Sequence, residues 1–128
     1  MTRTANALTD NAARLIANIL ATDYNDGGYP ATEIADYAWS ACEGFDSAQS
    51  AAGTLSRAAA ADLVSHEEYR DSDDNIVMIT AKGWAAFTER FGACDESDFD
   101  AYTALAHHAL RSMAALRRTS SDDGPTFW

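Results

Sequence analysis

Between Thr54 and Trp84 the spacing of apolar residues changes twice. The run TLSRAAAADLV has helical spacing, with Leu55, Ala58 and Ala59 on one side. VSHEEYR and NIVMIT follow, short segments flanking the polar DSDDN, with β-branched residues concentrated in the second. That pattern reads as a two-stranded hairpin with an acidic tip. Helical spacing then returns at Trp84, Phe87 and Phe91, with Thr80 placed as the N-cap of a helix over 81–91. The stretch is therefore constrained to helix, hairpin, helix.

The flanking sequence adds three more helices. Leu8, Ala12, Leu15, Ile16, Ile19 and Leu20 give a first helix ending near Thr22, with Thr9 or Asp10 as its cap. Asn25-Asp26-Gly27-Gly28 and Pro30 stop it. A second helix is expected from Thr32, capped by that residue, with Ile34, Ala35, Ala38, Trp39 and Cys42 inward. After the turn EGFDS, Ser47 caps a third helix to about Asp62, with Ala52, Leu55, Ala58 and Ala59 inward. Ser97 caps a last helix to about Arg118, striped by Phe99, Tyr102, Leu105, Ala106, Ala109, Leu110, Met113 and Leu116. Acidic residues sit in its first turn and arginines towards its end, as the helix dipole favours.

A chain of 128 residues, 47% hydrophobic and 10% aromatic, suffices for one domain with one core. Cys42 and Cys94 form neither a disulfide framework nor a metal-ligand spacing, so both are expected to be reduced, partly buried thiols. The first twenty residues lack the apolar run of a signal peptide, and no window approaches the ~20 apolar residues of a membrane span. The expectation is a cytoplasmic protein with no membrane partner. His66, His107 and His108 have no metal-binding spacing, and no nucleophile sits in a catalytic elbow or glycine-rich loop. Neither enzyme activity, metal nor cofactor is expected.

Three helices followed by a hairpin make a winged helix, in which the third helix enters the DNA major groove and the hairpin lies beside it. YNDGGYP, WSACEGFDSAQSAAGTLSRAAAADLV and ITAKGWAAF also resemble segments of small winged-helix proteins of phages and bacteria. In those, an Asp- or Asn-rich break precedes a Trp-bearing segment and a recognition-type helix, and the hairpin ends in an lT-x-x-G helix start. The resemblance covers roughly residues 5–91. It implies a mainly α fold with a small β-hairpin, a winged helix-turn-helix over 5–91; the residues beyond it add, on their own spacing and polarity, a C-terminal helix over 97–118 and a flexible acidic tail over 119–128. The resemblance also implies a DNA-binding regulatory protein. Ala61 and Asp62 depart from the pattern, standing where Lys and Gly are usual.

On this reading the face presented to double-stranded DNA is Gln49, Ser50, Gly53, Thr54 and Arg57, with Arg70 on the hairpin. Gln pairs with adenine, Arg with guanine, and Ser or Thr with bases or phosphates. The charge points elsewhere. Net charge is −11, and the hairpin tip carries Asp71, Asp73 and Asp74, which repel phosphate. The alternative is an acidic protein-interaction module that meets a basic protein or imitates the charge of DNA. The last helix either packs within the chain or forms a dimer seam, where Ala106, Ala109, Ala114 and Ala115 would let two helices approach. Phe127 and Trp128 end the tail as candidates for docking into a groove.

Overall fold

The computed structural model describes residues 8–22, 29–68 and 75–123. It is mainly helical, with five α-helices and a three-stranded antiparallel sheet among the described residues. Helix α1, Asp10–Leu20, runs through the centre. Thr9 is its cap, the hydroxyl accepting from the Ala12 amide at 3.1 Å. Ala13, Leu15, Ile16, Ala17, Ile19 and Leu20 are all fully buried, an arc far wider than a surface helix needs.

The segment after Pro30 is not the single helix its sequence suggests. Ala31–Glu33 forms one 3-10 turn, Ala35–Tyr37 forms strand β1, and only Ala38–Ala41 is α-helical, as α2. Thr32 lies inside the 3-10 turn and caps nothing. Tertiary pairing overrides local preference here. β1 lies antiparallel to the strand β3, Asn75–Ile79, matching Ala35 with Met78, Asp36 with Val77 and Tyr37 with Ile76. Strand β2, Val64–Glu68, pairs on the other side of β3. The predicted two-stranded hairpin is thus the larger part of a sheet ordered β1-β3-β2, with Val77 and Ile79 of the central strand buried. Asn18 of α1 ties the short helix down, its Nδ2 donating to the Ala41 and Glu43 carbonyls at 2.8 and 2.9 Å. The Ala41 carbonyl is an end-of-helix acceptor with no intrahelical partner, and the Glu43 carbonyl belongs to the turn that follows.

Helix α3, Ala48–Ala60, starts where expected, the Ser47 hydroxyl accepting from the Ser50 amide at 3.0 Å. It ends in a Schellman motif. The Leu63 amide reaches the Ala58 carbonyl at 2.9 Å, the Asp62 amide reaches Ala59 at 3.0 Å, and Asp62 takes φ +65°. The left-handed conformation costs an L side chain there, a cost that glycine does not carry.

Thr80 joins the sheet to helix α4, Ala81–Phe91. Its hydroxyl donates to the Asp62 carbonyl at 2.6 Å and accepts from the Gly83 amide at 3.0 Å. Gly83 packs so tightly that a Cβ there would lie 2.0 Å from the Leu63 carbonyl oxygen. The T-x-x-G pattern therefore encodes a cap and a close approach. At the far end of α4, the Arg90 guanidinium donates to the Leu8 carbonyl and pairs with Asp10, locking α4 to the start of α1.

Helix α5, Phe99–Asp123, lies along α1. Its cap is Asp98, which accepts from the Ala101 amide at 3.2 Å, rather than Ser97, whose own amide bonds to Asp95. The backbone stays helical to Asp123, past the expected end near 118 and into the stretch expected as a flexible tail; Phe127 and Trp128 lie outside the described residues. Tyr102, Ala106, Ala109 and Met113 are buried within the chain. The small Ala106 and Ala109 are thus spent on intrachain packing and are closed to a second copy, leaving Ala114 exposed.

Candidate nucleic-acid interface

Helix α3 turns one side to α1 and the other to solvent. Its buried residues are Ala51, Thr54, Leu55 and Ala58. The helix is therefore rotated from the expected phase: Thr54 faces in, 3% exposed, and Ala52 faces out. A threonine counted as polar carries a methyl group that packs like valine's, and sequence spacing cannot weigh that against one more alanine. The Thr54 hydroxyl has no hydrogen-bond partner among the described residues. Thr54 is removed from any reading face.

Gln49 and Arg57 are exposed as expected. Ser50 is half-buried, with its amide engaged by the Ser47 cap. Gly53 is half-buried because the Arg57 side chain folds back over it; a Cβ there would meet the guanidinium at 3.2 Å. Ser56 joins the exposed face, which the expected phase missed. The solvent side of α3 thus reads Ala48, Gln49, Ala52, Ser56, Arg57 and Ala60, small residues with one cation. Arg70, Asp71, Asp73 and Asp74 lie outside the described residues.

The approach to α3 is acidic and aromatic. Glu43 and Asp46 are exposed in the turn before it, where Gly44 takes φ +86°. Trp39, expected inward, is 67% exposed. Four-residue α2 cannot carry the helical phase back to Ile34, so Trp39 swings out and stacks on Tyr37 at 6.0 Å between ring centroids. Between α2 and α3 lies a shallow hollow of about 410 Å³, floored by Ala51 and Leu55 and edged by Trp39, Phe45 and Ala52.

Sequence spacing gave no hint of Asp36. It lies on β1, 2% exposed, beneath the α1–α2 junction. Its Oδ1 accepts from the Thr22 hydroxyl at 3.1 Å and the Tyr37 amide at 2.8 Å, while Oδ2 has no hydrogen-bond partner among the described residues. Burial pushes its carboxyl above the usual range; bonds from Thr22, Tyr37 and Ser40 pull the other way, and the nearby charge of Glu43 adds to the rise. Reading residues 32–42 as one helix assigned Asp36 to the outward side, so burial was invisible until β1 paired.

Cys42 and Cys94 are free and half-buried, and burial raises both thiols. They are protonated at neutral pH and poor nucleophiles. Among the described residues no three His, Cys, Asp or Glu side chains converge as a metal cluster, and no helix is long and apolar enough to cross a membrane. No protein-family model, curated protein or solved structure matches the chain.

Proposed function

We propose that this chain is a winged-helix DNA-binding regulatory protein that reads the major groove with α3. The observation that carries this is the element order α1-β1-α2-α3-β2-β3, with β1 paired to the hairpin and α3 presenting Gln49, Ser56 and Arg57 outward. A helix-turn-helix docks its second helix in the major groove, and a hairpin beside it approaches the backbone. Small residues along α3 let the helix axis come close to the base edges. Arg57 supplies a guanine contact, Gln49 an adenine contact, and Ser56 a base or phosphate bond. With a net charge of −11 the nonspecific electrostatic attraction is weak, so affinity depends on these few contacts.

Selection from a pool of random duplexes at low salt tests this. The expected result is one enriched motif, bound about 1–3 kcal/mol more weakly by Arg57→Ala. No enrichment, or an unchanged motif and affinity in the variant, would remove the assignment.

A second reading has its own support in the exposed Trp39, which sits on the hollow beside α3 with Glu43 and Asp46 nearby. An aromatic anchor ringed by carboxylates suits a basic protein partner. In that case one basic protein is retained at low salt, released at high salt, and lost with Trp39→Ala. Retention indifferent to both salt and Trp39 would count against it.

A further inference from the structure

A groove of about 680 Å³ runs between the start of α1, the second half of α3 and helix α4. Its floor is apolar: Ala12 and Ala58 are buried, and Leu63 and Ala86 are half-buried. Arg57 and Lys82 stand on its rim, both exposed, with Glu89 as the only carboxylate in its lining among the described residues. The chain has nine lysines and arginines against twenty aspartates and glutamates. Arg90 finds a carboxylate, yet neither Arg57 nor Lys82 pairs with one among the described residues. Two unpaired cations flanking one apolar trough, in a chain so rich in acid, are placed for an anion from outside.

We infer that this groove binds a small amphipathic carboxylate, with its hydrocarbon along the alanine floor and its carboxylate between Arg57 and Lys82. The volume is that of a small-molecule site, and a few polar groups on apolar walls fix orientation in such sites. A single carboxylate is matched better than a cation, because two positive side chains face it and Glu89 faces it alone. Alanine at Ala58, Ala61, Ala85 and Ala86 keeps the trough open where larger side chains would fill it. Arg57 belongs to both the groove and the outward face of α3. A bound carboxylate therefore takes Arg57 away from DNA, which makes the ligand a negative effector of the proposed regulator; that consequence alone rests on the DNA-binding reading.

The probe is octanoate, titrated below micelle formation into the full chain without DNA and followed by amide chemical shifts. Saturable shifts along residues 57–61 and 82–89 are expected. Arg57→Gln and Lys82→Gln, both at exposed positions, should each weaken binding roughly threefold to fivefold, the worth of a partly solvated ion pair. Ala85→Phe should abolish binding by filling the trough; if that variant fails to fold, the two glutamine variants still decide. Octylammonium, with the same tail and opposite charge, should not bind. Absence of saturable octanoate binding, equal binding of octylammonium, or unchanged affinity in both glutamine variants overturns the site. If octanoate binds as expected and the selected DNA motif is not displaced, or no motif exists, the groove stands and the DNA reading of Arg57 falls.

Discussion

Helices α1 and α3 are 11 and 13 residues long, both cap with a hydroxyl, and both present an amphipathic pattern, yet they are held in different ways. α1 is gripped by side chains: Leu15, Ile16, Ile19 and Leu20 are fully buried between the sheet and α5. α3 buries one large aliphatic residue, Leu55, with Ala51, Thr54 and Ala58. Its position depends on backbone devices at its ends, the Ser47 cap and the Schellman motif, followed by the Thr80–Gly83 clamp. A helix anchored at its ends can leave its long face free, and α3 uses that freedom to expose Gln49, Ser56 and Arg57 and to wall one side of a groove. The buried centre and the exposed polar face are thus on separate helices.

The largest test sets the two against each other. Leu15→Ala should cost about 4 kcal/mol in urea unfolding and Leu55→Ala about 2 kcal/mol, because a site open to the hollow between α2 and α3 relaxes or hydrates more readily than a sealed one. Equal losses would break the contrast. Next, Gly83→Ala should cost about 3 kcal/mol, since its methyl group would collide with the Leu63 carbonyl and force the start of α4 off the sheet. A neutral result would show that α4 shifts freely and that the clamp does not position α3.

Asp62→Gly should raise stability by about 1 kcal/mol by relieving the left-handed residue at the end of α3. A loss would mean that the carboxylate at that position contributes more than its backbone costs. The smallest expected effect concerns Asp36. Its folded-state carboxyl lies above the unfolded value of 3.8, so the folded state holds the proton more tightly. That contribution is fully present below the unfolded value and is lost as pH rises through the folded one. Asp36→Asn keeps an acceptor for Thr22 and Tyr37 and removes the buried charge. The variant should gain on the native protein from acid to neutral pH in paired urea melts; parallel pH profiles would show that Asp36 is solvated.

Several elements were legible because their signals are local. Thr9, Ser47 and Thr80 are caps in the sequence and in the structure, each a hydroxyl answering an amide three residues on. The hairpin strands follow from two short segments flanking a polar turn, with β-branched residues concentrated in the second, and α1, α4 and the Tyr102–Met113 stripe of α5 follow from bulky residues at helical spacing. The candidate site was legible in Gln49 and Arg57, long polar side chains that cannot be buried cheaply. It was misread at Thr54, Ser56 and Trp39, where the phase of an alanine-rich helix carries little information.

The sequence by itself determined helices α1, α3, α4 and most of α5, the caps Thr9, Ser47 and Thr80, and the place of the hairpin, because capping bonds and side-chain periodicity act over three or four residues. Only the tertiary structure decided that residues 35–37 become a strand, that Asp36 is buried, and that Arg57 and Lys82 line one groove. Those outcomes depend on the free edge of β3 and on the angle at which α4 meets α3. Both are set by contacts between residues far apart in the chain, whose energies no local window contains.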